Sequence, residues 1–351
     1  MEYACLAQCN IKSRDDVNII QTDDTAILTA KPVSKSDAFL WDVTKGEEMR
    51  HVTLPAGSQV YPTPDGAYVN VFKANSVLQT YKVDSYELYG EVPFDSGRIR
   101  QVDVTDRYTA FTFNQSVGPV LIDIRATLLV HKFQYQARSV AVSRDQRFLV
   151  TNNNRCLAIH ALPMLERKCV AELAHAPEKI KFGNDSTKFY VMDSGCEMKS
   201  VTVNLFQRKA VVSEIVRDLE MRDFVLSHSD RLLLVRASRC LYVFNASKET
   251  TRYRITALPP GAFIEPLSTF VDAAFTPRDD YVIAARHIYV GLWCARTGKP
   301  VRLLHSAVSP VMKLFTFRTL QKAITILDNK TMQVRVVDHS NIYYVTNSNE
   351  T

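Results

Sequence analysis

Arginine and lysine are the chemically capable residues with a discernible placement in this sequence. Lys73, Arg98, Arg138, Arg155, Arg239 and Arg286, accompanied by Asn152 and His287, each stand where one short β-prone run ends or the next begins. Guanidinium and ammonium groups at such positions do recognition chemistry, binding carboxylates or phosphates through charge-assisted hydrogen bonds. Patterns that would do bond-making chemistry are missing from the sequence. The eight histidines lie far apart, and no Gly-x-Ser-x-Gly, His-Glu-x-x-His or Cys-x-x-Cys spacing occurs. Cys5 and Cys9 have no second ligand pair nearby and read as packed thiols. The sequence therefore predicts no catalytic residue, no metal, no cofactor, and no enzyme.

Charge narrows the partner. Lys plus Arg number 43 against 37 Asp plus Glu, an excess of six spread over 351 residues. A nucleic-acid binder clusters its cations, because phosphate contacts dominate its affinity; here acids interleave with bases, which argues against nucleic acid. No run of about 18 apolar residues and no basic-then-apolar leader occurs, so neither a membrane span nor a signal peptide is expected. Seven scattered cysteines, an odd number, suit reduced thiols. The expected compartment is cytoplasmic.

The elements that must position these cations repeat. A large or β-branched residue recurs as Trp41, Tyr81, Ile122, Ile159, Val203, Phe244, Trp293 and Val337, at intervals of 40, 41, 37, 44, 41, 49 and 44. A polar or small residue follows each: Asp42, Lys82, Asp123, His160, Asn204, Asn245, Cys294 and Asp338. Earlier in each unit a hydroxyl residue precedes a turn, as Thr22, Thr63, Thr105, Ser143, Ser227, Thr276 and Thr316, with Gly183 breaking the column in the fifth unit. Such hydroxyls, and the turn carboxylates beside them, read as caps that bond the local backbone. In the seventh unit, strands over 271–275, 281–285, 288–293 and 301–304 are separated by turns at 277–280 and 296–299. No long stretch has a 3.6-residue apolar period, so helix is nearly absent.

These residues resemble the WD-repeat family, whose four-stranded units of about 40–45 residues are the blades of a β-propeller. The best carriers are Phe39-Leu40-Trp41-Asp42 with Thr44-Lys45-Gly46, Thr63-Pro64-Asp65-Gly66, and Ala274-Phe275-Thr276-Pro277 followed by Leu292-Trp293. Only the first unit keeps the Trp-Asp pair, and 11 glycines leave most of the family's tight-turn glycines missing. A more distant similarity is to the carboxyl-terminal propeller of large NACHT and WD-repeat proteins. The resemblance implies an all-β fold and a protein-binding role. One domain over 1–351 is expected, with units at about 15–53, 58–93, 98–133, 138–173, 177–215, 221–256, 269–305 and 310–339. Residues 1–10 would close the ring by pairing with the last unit, and 340–351 would be a tail. Eight blades are expected; seven plus an extra unit is the alternative.

In a propeller of this strand order, the connections between blades share one face with those between second and third strands. Lys73, Arg98, Arg138, Asn152, Arg155, Arg239, Arg286 and His287 fall on that face, as does the long insertion at 258–267, with Pro259, Phe263 and Ile264 as apolar contacts. The opposite face takes the turn acids Asp24, Asp65, Asp106, Asp145, Asp185 and Asp279, partly offset by Lys45, Arg296 and Lys299. The sequence thus predicts a scaffold with a cationic face that binds other proteins, acidic peptides among them. The rival reading is a small-ligand or enzymatic propeller with its site in a central channel; no convergent acids or histidines support it, and small molecules are not expected as partners.

Overall fold

Among the described residues three sheets, those over 99–132, 140–172 and 270–306, bury both faces, and that decides their strand composition. The structure, a computed structural model, describes residues 59–316 apart from 74–76, 86, 95–97, 115–116, 205, 219, 257–258, 260–268, 307–308 and the side chains of residues 73, 305–306 and 315. Between 5 and 52 and between 322 and 336 it describes strands alone. Among the described residues the strands form eight four-stranded antiparallel sheets and no helix. Contacts divide the chain into two compact units, residues 55–221 and residues 1–54 with 222–351.

In the 55–221 unit, each sheet packs on its neighbour in sequence. Phe72, Leu78 and Val92 of the 59–93 sheet meet Phe111, Phe113, Val120 and Ile122 of the 99–132 sheet. The other face of that second sheet, Tyr108, Ala110 and Leu121, packs on Val140, Val142 and Leu149. Phe148, Val150, Leu157 and Ile159 then meet Ile180, Phe189, Val191 and Val201 of the 177–217 sheet. Alternate residues of one strand thus serve two cores, which is why Tyr108–Phe113 is buried at all six positions and shows no polar alternation.

The other unit is built the same way. Leu232, Leu234, Leu241 and Val243 of the 221–255 sheet meet Phe270, Phe275, Val282 and Trp293 of the 270–306 sheet. Its opposite face, Ile283, Ala285, Val290 and Leu292, packs on Val311 and Leu314. Cys5–Asn10 pairs antiparallel with Thr331–Val336, Gln8 opposite Gln333 and Asn10 opposite Thr331.

The recurrent columns have distinct physical roles. The large residues coincide with a β-bulge between third and fourth strands, where register shifts at Leu40/Trp41, Thr80/Tyr81, Leu121/Ile122, Ile159/His160, Val243/Phe244 and Leu292/Trp293. In the 177–217 sheet the shift lies instead at Met198/Lys199. The hydroxyl residues are buried turn caps. Thr63, Thr105, Ser143, Ser227 and Thr276 accept the amides of Tyr68, Tyr108, Phe148, Leu232 and Tyr281, at 2.9–3.2 Å.

Neighbouring first strands are latched by side chains. Asp103 Oδ2 accepts the Val142 amide at 2.7 Å, and Gln101 Nε2 donates to the Val140 carbonyl at 3.2 Å. In the other unit, Asp272 Oδ2 accepts the Leu314 amide at 3.0 Å.

Trp293, 1% exposed, is the largest fully buried side chain described and lies edge-on to Phe270 at 6.0 Å. Trp293→Ala is expected to cost about 3–5 kcal/mol, read as a lowered urea midpoint with an unchanged slope.

Candidate functional site

The sheet registers sort the candidate residues onto two ends. Ile99 pairs with Phe113 and Val140 with Thr151, so the start of a first strand and the end of a second share one end, the loop end. At the other, the turn end, lie the connections between first and second and between third and fourth strands.

At the loop end of the 55–221 unit, Arg98 and Arg155 are exposed; the Arg98 carbonyl accepts the Asn114 amide. Arg138 Nη1 donates to Glu178 Oε1 at 2.7 Å, and Arg100 takes Glu178 Oε2. Glu178 therefore bridges two arginines from two neighbouring sheets and neutralises part of the cationic cluster. Asn152 departs from the sequence reading. It is 1% exposed, its Oδ1 accepts the Arg138 and Ser139 amides, and its nitrogen donates to the Asn154 carbonyl, so it shapes the loop and offers nothing to a partner. Lys73 ends a second strand, and its side chain lies outside the described residues.

In the other unit, Arg239 and His287 are exposed at the loop end, His287 in the left-handed region with φ 54°. Arg286 also departs from the sequence reading. It is 8% exposed, lies 5.2 Å over the Phe270 ring and donates to the Thr256 carbonyl; burial holds its guanidinium below its usual basicity. Its charge serves packing. Pro259 is buried with its Cγ so close to Gly291 that an added Cβ there would stand 2.7 Å away, which favours self-packing of this end of the insertion. Phe263 and Ile264 lie outside the described residues.

Also at the loop end, Lys199 is buried with Asp193 and Glu197, its ammonium donating to both carboxylates. Burial works against that charge, but the two hydrogen bonds outweigh it and hold the ammonium above its usual pKa. A lysine so protonated serves neither as base nor as nucleophile. Glu197 is correspondingly held below the usual carboxylate range, chiefly by its hydrogen bond from Lys199. Among the described residues no three His, Cys, Asp or Glu side chains converge in a way that could hold a metal ion.

The turn end differs from the acidic surface that composition suggests. Asp65, Asp145 and Asp185 are engaged in their own turns by hydroxyls and amides of Thr63 and Ala67, Ser143 and Arg147, and Thr187. Asp24 lies outside the described residues. Asp65, Asp145 and Asp185 stay exposed, and beside them project apolar and cationic side chains. Phe206 and Met164, in the third-to-fourth-strand turns of two adjacent sheets, are 98% and 86% exposed. Beside Phe206 runs a groove of about 490 Å³ lined by Arg147, Phe148, Ala161, Leu162, Lys168 and Arg208. Sequence reasoning missed it by treating these turns as polar; the signal available was Phe206, an aromatic where Thr44 and Arg296 stand in other units.

Four-stranded antiparallel sheets stacked face to face, with bulged outer strands and hydroxyl-capped turns, define a β-propeller. Similarity to a solved structure agrees: the β-propeller domain of Cps50 (Swd1) from Myceliophteria thermophila matches with a TM-score of 0.57, covering 94% of this chain and 100% of that one at 12% identity. Identity that low shows the fold alone. No protein-family model and no curated protein matches the sequence. No helix among the described residues is long and apolar enough to cross a membrane.

Lys199→Met strands two buried carboxylates and is expected to cost about 3–5 kcal/mol at neutral pH. In the native protein Glu197 is depressed, so the unfolded chain binds more protons as pH falls and stability is lost through the carboxylate range. Without Lys199 that depression goes. The deficit of the variant, measured by urea unfolding at pH 7 and pH 4, should therefore be smaller at the lower pH.

Proposed function

We propose that this protein is a non-catalytic interaction scaffold that docks an acidic protein segment carrying an apolar anchor, in the groove beside Phe206. The observation that carries this reading is the exposure of Phe206. A phenylalanine fully in water forgoes roughly 1.5–3 kcal/mol available on burial, and exposed aromatics beside a groove are characteristic of contact surfaces. Charge selects the occupant. Arg147, Lys168 and Arg208 line the groove and no acid does. Glu166, outside the lining, is bonded by Lys168 at 2.6 Å and reached by Arg208 at 3.6 Å, leaving the guanidinium fork of Arg208 largely available.

The scaffold role is supported by the propeller fold and by the protonated state of Lys199, which removes from chemistry the one lysine buried among the described residues. The five described cysteines are free thiols, in keeping with a reducing, cytoplasmic setting. Arg98, Arg138, Arg155, Arg239 and His287 remain the proposed contacts of the loop end; Asn152 and Arg286 are dropped for the reasons given above.

Peptides selected from a random display library on the intact chain should be enriched in Asp and Glu around an aromatic or leucine. Phe206→Ala with Arg208→Glu should weaken them at least tenfold by fluorescence polarisation, without changing the circular-dichroism spectrum. Undiminished binding to that variant, with loss in Arg155→Glu instead, would move the contact to the loop end and sink the groove.

A further inference from the structure

The 222–351 part of the chain carries a second concavity at the turn end, with a different chemistry. It lies between the 221–255 and 270–306 sheets, has a volume of about 710 Å³, and four arginines line it: Arg231, Arg252, Arg278 and Arg296. Each comes from a different turn or strand end. All four are exposed, and none forms an ion pair with a carboxylate among the described residues. Two acids share the lining. Asp279 is committed, its two oxygens accepting the His228 and Ser229 amides at 2.8 Å each, and Asp280 is exposed. The wall therefore has a formal excess of two positive charges, four arginines less two aspartates; Ser229 adds a hydroxyl, while that of Ser247 is committed to Asn245 Oδ1 at 2.7 Å.

Like charges held around one concavity repel, and the repulsion is relieved by an anion that bridges them. Guanidinium forks match phosphate oxygens two at a time, and the volume falls in the range of small-ligand sites. A single carboxylate would leave most of the donors unused. We propose that this pocket binds a compact anion carrying two or more phosphoryl groups, of the kind presented by inositol polyphosphates, either free or as a lipid headgroup. This departs from the expectation that small molecules are not partners, and it is independent of the groove beside Phe206, which belongs to the other compact unit.

The pocket contains its own reporter. Cys294 is half-buried in its lining. It occupies the position where Asp123 and Asn245 accept backbone amides in other sheets, Asp123 those of Arg125 and Ala126, Asn245 those of Ser247 and Lys248. Burial raises the thiol pKa, but hydrogen bonds from Thr297 and the amides of Arg296 and Thr297, with the Arg296 charge, more than reverse that. The sulfur is thus a ready target for iodoacetamide, and an occupant of the pocket would shield it.

Isothermal titration of the full chain with inositol hexakisphosphate, and sedimentation with vesicles containing phosphatidylinositol 4,5-bisphosphate, test the proposal. Binding in either arm is expected to weaken at least tenfold in Arg252→Glu with Arg296→Glu, and to fall steeply with salt. Saturating ligand should slow alkylation of Cys294 at least fivefold while leaving Cys156 unchanged, read by peptide mass spectrometry. Binding to inositol hexakisphosphate alone marks a free metabolite as the source, and binding to vesicles a headgroup; both uphold the pocket. No binding in either arm, equal binding by the double variant, or unshielded Cys294 would overturn it. The double variant changes only exposed side chains, and its melting temperature, matched to the native chain, reports that it folds.

Discussion

An antiparallel sheet with two free edges is an unfinished object, and this protein finishes it with side chains. The first strand of each sheet has one row of backbone groups turned away from its own ladder. Asp103 takes the Val142 amide, Gln101 reaches the Val140 carbonyl, and Asp272 takes the Leu314 amide. These bonds fix the spacing at which neighbouring sheets face one another, and the apolar cores between sheets follow from that spacing. Phe111 and Ala110 can then face opposite neighbours from adjacent positions in one strand. Such latching has a cost: burial pushes the Asp272 carboxyl up, while the Leu314 amide and the Arg236 charge pull it back.

With cores assigned to the sheets and caps to the turns, recognition is left to whatever projects beyond them. The turn end gathers an apolar anchor beside cations in one unit and a ring of arginines in the other. The loop end invests more of its charge internally, Glu178 holding Arg100 and Arg138 and the Lys199 cluster holding itself.

The strand-turn-strand repeat is legible in the sequence because its markers answer to local physics. A hydroxyl at Ser143 or Thr276 caps a turn using atoms a few residues away, and a large residue at Trp41 or Phe244 sits at a bulge set by its own strand pair. Availability of a side chain is not local. Arg286 and Arg239 both fall near second-to-third-strand connections, yet Arg286 lies over the Phe270 ring of the adjacent strand while Arg239 is exposed. Asn152 is consumed by the amides of residues 138 and 139, fourteen and thirteen positions away. Nor does charge counting find the arginine pocket, since Arg231, Arg252, Arg278 and Arg296 are spread over 66 positions of sequence with acids between them.

The division of labour between caps and cores bears on how such a chain ages. A turn cap is worth about 1 kcal/mol, whereas a residue such as Leu121 or Val150, buried from both sides, costs several to lose. Substitutions therefore accumulate first at the caps, which are the very residues by which a repeat is recognised. Cys294 stands where Asp123 and Asn245 accept turn amides in other sheets, and Gly183 stands where Ser143 and Thr276 cap theirs. In this architecture the punctuation of a repeat can change while the buried valines and leucines go on holding the same sheets together.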